Sequence, residues 1–183
     1  MGKIRDLVAG YSYRKDAAGL SHPRILTNFA DAKQVGILYV VNDVPDFEVV
    51  EAFVGRLQKE HKEVKALGFV RNKNLIGRFL PRLSYDFFSR RDLTWYNKPI
   101  HEKVKDFIAK EFDILIDLSL QDFFPMKYIS GLSKAKCRVG RYTEANTDYY
   151  DLMLDAKPGI TAEAFIEQIY HYLSIINRNE KGS

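Results

Sequence analysis

The stretch 112–142, FDILIDLSLQDFFPMKYISGLSKAKCRVGRY, constrains the fold more than any other part of the chain. Phe112, Ile114, Leu115, Ile116 and Leu118 make a short apolar run bounded by charge. A strand covered on both faces loses the polar alternation of a half-exposed one, so the run reads as a buried strand of a parallel sheet. Its carboxyl end falls at Asp117-Leu118-Ser119. Pro125 suits the first turn of a helix, where an N–H would have no partner. Met126, Ile129 and Leu132 follow at helical spacing and give that helix a face to bury. Residues 137–140 read as the next strand, and a crossover of this kind is right-handed.

The same alternation opens the chain. Val35, Ile37, Leu38, Val40 and Val41 form a strong strand that ends at Asn42-Asp43, a pair suited to capping a helix. Pro45 fits the first turn, and Val50, Phe53, Val54 and Leu57 line one face of a helix running to about His61. Residues 64–70 are the second strand. Further on, 84–88 read as a third strand and 93–96 as a turn or short strand. Lys98-Pro99 starts a helix with Val104, Phe107 and Ile108 inward. After the strand at 112 come a polar loop at 143–148 and a final strand at 149–154, with Asp151 the one charge inside it. Thr161 is a good N-cap and Glu163 sits near the positive helix end. Phe165, Ile166, Ile169, Tyr172, Leu173 and Ile176 stripe the last helix.

These elements predict an α/β protein: a single three-layer Rossmann-like domain over 34–178 with a mostly parallel sheet of about five or six strands. Residues 1–33 read as a basic amphipathic helix, striped by Ile4, Leu7 and Val8, and an irregular lead-in holding Gly19 and Pro23. That helix is expected to pack across the sheet edge or against a second subunit. Residues 179–183 are a frayed tail.

At 183 residues the chain is long enough for one domain with a real core. No apolar run is long enough to span a bilayer. The opening MGKIRDLVAG lacks the apolar core of a signal peptide, which points to the cytoplasm. The single cysteine, Cys137, excludes an internal disulfide and a multi-cysteine zinc site, and on a strand it reads as a buried, inert thiol. Histidines at 22, 61, 101 and 171 form no i, i+4 pair. There is no G-x-G-x-x-G after the first strand, no G-x-x-x-x-G-K-[ST] and no G-x-S-x-G, so no cofactor and no metal are expected.

The net charge of +4 is unevenly spread. Residues 71–98 hold seven basic side chains against Asp86 and Asp92, interleaved with aromatics. Phosphates want cations and bases want stacking platforms, so Arg78, Arg82, Arg90, Arg91 and Trp95 are candidates for a nucleic-acid surface. The plainer reading packs the aromatics and lays arginine stems over them.

In an open parallel sheet a ligand binds beyond the strand carboxyl ends, where strand order reverses. If the strands from 35 and 112 are neighbours there, Asn42, Asp43, Asp117, Ser119 and Gln121 share one crevice, flanked by Arg71, Arg141, Tyr142, Thr143 and Asn146. Asp43 and Asp117 are the candidate general bases. The plainer reading has Asp43 and Ser119 capping helices and Asp117 meeting a backbone N–H.

Two segments resemble the N-terminal half of heptosyltransferase-type glycosyltransferases. They are VVNDVPDFEVVEAFVGRLQKEHKEVKALGFV at 40–70, with Asn42-Asp43 where that family has Gly-Asp, and FDILIDLS with LSKAKCRVG at 112–140. The whole chain also resembles small uncharacterised Bacteroidetes proteins, a domain family without an assigned function. The first resemblance implies a Rossmann-like fold with Asp43 at the position of the family's candidate base. It also implies a second domain for the sugar nucleotide, for which no residues remain here, so a lone half is expected either to act by dimerising or recruiting a partner or to have lost catalysis.

The leading expectation is therefore a non-enzymatic or partner-dependent ligand-binding domain for a small polar ligand. The alternatives are a sugar- or nucleotide-modifying enzyme using Asp43 or Asp117, and a nucleic-acid-associated protein working through 71–98. The N-terminal helix and the aromatic segment each offer a surface for a homodimer or a protein partner.

Overall fold

Six strands lie in one sheet, and every neighbouring pair is parallel. The computed structural model describes residues 2–20, 25–75, 77, 79 and 82–176. The strands are β1 (Gln34–Val41), β2 (Glu63–Val70), β3 (Tyr85–Ser89), β4 (Ile114–Asp117), β5 (Cys137–Arg141) and β6 (Leu152–Leu154). The helices are α1 (Gly2–Ala17), α2 (Val44–Lys59), α3 (Glu102–Ala109), α4 (Phe124–Leu132) and α5 (Ala162–Ile175). Strand order is β3-β2-β1-β4-β5-β6, that of the doubly wound dinucleotide-binding fold. The chain builds outward from β1 to β3, then returns to place β4 on the other side of β1. Val35 pairs with Ile114 and Leu38 with Asp117. The order therefore reverses between β1 and β4, and Asp117 ends its strand there.

The apolar runs read as two-faced strands because both faces are covered. Val35, Ile37, Tyr39 and Val41 pack with Phe53, Leu57, Phe165 and Ile169 of α2 and α5. Leu38, Leu67 and Leu115 pack with Val104, Phe107, Met126 and Ile129 of α3 and α4. Asp151, the charge expected inside the last strand, has a buried side chain, and it is paired. Arg138 donates to it through Nε at 2.9 Å and Nη2 at 2.8 Å. Burial pushes the Cys137 thiol up to about 11. No helix among the described residues is long and apolar enough to cross a membrane.

Three expectations need correction. Lys98-Pro99 does not start a helix: Pro99 bridges back to Leu93, and α3 begins only at Glu102, where His101 Nδ1 accepts from the Lys103 N–H at 3.1 Å. The last strand is shorter than 149–154. The Tyr149 N–H bonds back to Asn146 O, and the Tyr150 side chain turns to Asp117.

The apolar stripe of α1 is not its packing face. Ile4 is 67% and Leu7 69% exposed, whereas Ala9 and Tyr13 are buried. Rather than across the sheet edge, α1 docks on α4. A Cβ at Gly131 would come within 2.7 Å of Tyr13 Cε2, so only glycine admits the tyrosine ring there. The carboxylate of Asp16 then accepts from Lys98 Nζ at 2.7 Å and Tyr128 Oη at 2.6 Å. The lead-in around Pro23 and the tail 179–183 lie outside the described residues.

Candidate ligand-binding cleft

In a doubly wound sheet the helix after β1 usually presents its N-terminus to a phosphate. Here carboxylates occupy that end. Asp43 Oδ1 accepts from the Asp46 N–H at 3.1 Å. Asp46 Oδ2 in turn accepts from the Asn42 N–H at 2.8 Å and from Asn42 Nδ2 at 2.9 Å. Two negative side chains at the mouth of α2 repel an anion, and Asn42 and Asp43 line neither of the two cavities described below.

Asp117 is 2% exposed. Its carboxylate accepts from the Ser119 N–H at 2.9 Å and from the Tyr150 hydroxyl at 2.6 Å. Burial pushes its carboxyl up, against the opposing pull of Ser119 and Tyr150. Burial and the adjacent carboxylate likewise push the Tyr150 phenol up. Tyr150 reaches this position because Gly140 leaves room: a Cβ there would sit 2.6 Å from the ring.

Beside the pair lies a recess of about 10 Å³. It brings together Asp117, Ser119, Gln121, Arg141 and Asn146, five of the residues nominated from sequence. Asn146 Nδ2 donates to Arg141 O at 2.8 Å. Asp122 closes the outer side, 2.9 Å from Lys127 and 3.5 Å from Arg141. The Ser119 hydroxyl favours the ionised form of Asp117 without meeting hydrogen-bond geometry with it. Ser119 Oγ, Thr143 Oγ1 and Asn146 Oδ1 are buried and have no hydrogen-bond partner among the described residues.

A far larger cleft, about 960 Å³, opens over the carboxyl ends of β2 and β3. Arg5, Asp6, Ala9 and Gly10 of α1 form one wall, and Phe123, Phe124 and Lys127 at the start of α4 another. Arg71 and Lys73 enter after β2, Arg90 and Arg91 after β3. Among the described residues the cleft thus carries six cationic side chains against two carboxylates, Asp6 and Asp122. Asp6 lies 3.5 Å from Arg5, and Asp122 is taken by Lys127. Arg71 sits over the Phe123 ring at 5.4 Å and donates to Gln121 at 3.4 Å. Lys73, Arg90 and Arg91 are exposed, and none has an ion-pair partner among the described residues.

Local sequence fixes where the arginine pair leaves the sheet. Asp92 Oδ2 accepts from the Ser89 N–H at 2.8 Å and from Ser89 Oγ at 3.1 Å, closing a single turn over Arg90–Asp92. This capping box points the chain out of β3 at the cleft rim.

The described residues of the basic aromatic segment do not all line one cavity. Arg90 and Arg91 line the cleft, but Arg82 pairs with Glu51 at 3.0 Å near the amino end of β3. Trp95 is 67% exposed, meets Tyr96 edge-on and lines neither cavity. Phe79, Tyr85 and Phe88 are core residues. Arg78 lies outside the described residues. Sequence reasoning overlooked Arg5, Lys73, Phe124 and Lys127 as cleft residues. They come from α1, the turn after β2 and the start of α4, and only the strand order and the docking of α1 bring them together.

Among the described residues no group of three or more His, Cys, Asp or Glu is placed to hold a metal ion. No curated protein matches the chain. A family model matches residues 11–176, nearly the whole chain, and the protein therefore belongs to DUF6913, a family of unknown function.

Proposed function

We infer that the protein is a ligand-binding domain whose cleft takes a phosphorylated small molecule. One observation carries this reading: among the described residues six cations line a single cleft against two carboxylates, and four of the six, Arg71, Lys73, Arg90 and Arg91, have no counter-charge there. Arginine forks match phosphate oxygens two at a time, and clustered like charge focuses the field on an anion. Phe69, Phe123, Phe124 and Tyr149 offer an apolar and aromatic lining for the rest of the ligand. The volume suits a small molecule of nucleotide size. A phosphorylated metabolite also accords with a cytoplasmic protein, acting alone or as one half of an assembly.

The enzyme reading, glycosyltransferase-like and based on Asp43 or Asp117, has less support. Asp43 serves as a helix cap, and Asp117 is buried in hydrogen bonds. The test is isothermal titration of the protein with pyrophosphate and ADP at low and at physiological salt. Saturable binding that weakens as salt rises is expected. Absence of binding to either, with tight and steeply salt-dependent binding of a single-stranded oligonucleotide, would favour the nucleic-acid reading instead.

A further inference from the structure

We propose that the recess beside Asp117 is a hydroxyl-binding subsite of the cleft, so that the ligand is a phosphate ester carrying hydroxyl groups. This rests on the reading of the cleft just given. Asn146 is 3% exposed. Its Nδ2 is committed to Arg141 O, which orients the amide and leaves Oδ1 as a buried acceptor without a donor among the described residues. Ser119 also lines the recess, and its Oγ has no hydrogen-bond partner among the described residues either. Buried polar atoms are nearly always satisfied, so two such atoms on residues that line one recess point to a bound group that donates.

Charge and size define that group. Asp117 and Asp122 face Lys127 and Arg141 around the recess. With both carboxylates ionised the four charges cancel, and an ion of neither sign is favoured. A volume of about 10 Å³ admits one heavy atom. A neutral donor with one heavy atom is an O–H, from water or from a ligand hydroxyl. Asp122, Phe123 and Lys127 line both the recess and the cleft, so the recess adjoins the cleft and a ligand in the cleft can reach it. The ligand hydroxyl replaces water at Asn146 Oδ1, and a phosphate without hydroxyls gains nothing from it.

The experiment titrates the full chain with inorganic phosphate, ribose 5-phosphate and glycerol 3-phosphate, as wild type and as the S119A and N146A variants. S119A keeps the backbone N–H that bonds Asp117, so it tests the subsite even if N146A folds poorly. At least one ester is expected to bind about tenfold tighter than inorganic phosphate, a preference that either variant cuts to near unity. Phosphate affinity stays unchanged in both variants. Equal affinity for phosphate and both esters, or a preference that survives both variants, means that only water uses the recess and overturns the subsite while sparing the cleft. If none of the three probes binds, the reading of the cleft fails and the subsite falls with it.

Discussion

Tyr150 donates its hydroxyl to Asp117 at 2.6 Å, tying the segment before β6 to the carboxyl end of β4 where the strand order reverses. The bond supports a carboxyl that burial pushes up. Tyr150→Phe leaves that carboxyl with the Ser119 N–H alone as a hydrogen-bonded partner. The expected loss is about 2 kcal/mol at neutral pH, the scale of a hydrogen bond to a charged group. The sign with pH follows from the raised value. The folded state holds the proton more tightly than the unfolded one, so this group's contribution falls as pH rises above the ordinary aspartate range. Removing Tyr150 raises the value further. The loss is therefore largest near neutrality and shrinks in acid, which urea unfolding at pH 7 and pH 4 measures.

Asp113 behaves oppositely. Its carboxylate accepts from the N–H groups of Lys33 at 2.8 Å and Gln34 at 2.9 Å, and from Lys136 Nζ at 2.7 Å. Partial burial disfavours its charge, but the bonds from Gln34, Lys136 and Lys33 outweigh it and hold the carboxyl below the usual range. The stability it contributes is present above the unfolded value of about 3.9 and is lost as pH falls through the lower folded value. Asp113→Asn costs about 2 kcal/mol at pH 7. The difference from wild type narrows below pH 3, as unfolding monitored by circular dichroism shows.

Tyr39 is a core residue whose hydroxyl is buried with no partner among the described residues. Its ring fits because Gly68 leaves the space: a Cβ there would meet Cζ at 2.7 Å. Tyr39→Phe removes an unsatisfied polar atom and keeps the ring. It raises stability by about 1 kcal/mol, seen as a higher urea midpoint at unchanged slope.

The sheet was legible where burial on both faces leaves an uninterrupted apolar run, as at Ile37-Leu38 and Ile114-Leu115-Ile116. Caps were legible because they are local: Asp43 and Thr161 each accept from the N–H three residues on. Long-range features were not. Tyr149-Tyr150 has the pattern of a strand, yet Asp117, 33 residues away, captures one ring, and Tyr13 packs on the other at 4.7 Å. Ile4 and Leu7 keep helical spacing but stay exposed, while α1 docks through Ala9 and Tyr13 over Gly131. Small residues that permit close approach leave no periodic signal. The crevice was expected at the β1–β4 junction. A recess lies at the end of β4, and the larger cavity lies over β2 and β3, where α1 and the start of α4 supply its walls.

The central claim is that the cations after β2 and β3 hold an anion in this cleft. Its most direct test compares pyrophosphate binding by the R90A/R91A double variant and by R82A, measured by isothermal titration against wild type. Arg82 belongs to the same basic segment but pairs with Glu51 outside the cleft. A loss of at least about tenfold in R90A/R91A, with R82A unchanged, is the predicted result. Wild-type affinity in R90A/R91A, or an equal loss in all three arginines' variants, would contradict it.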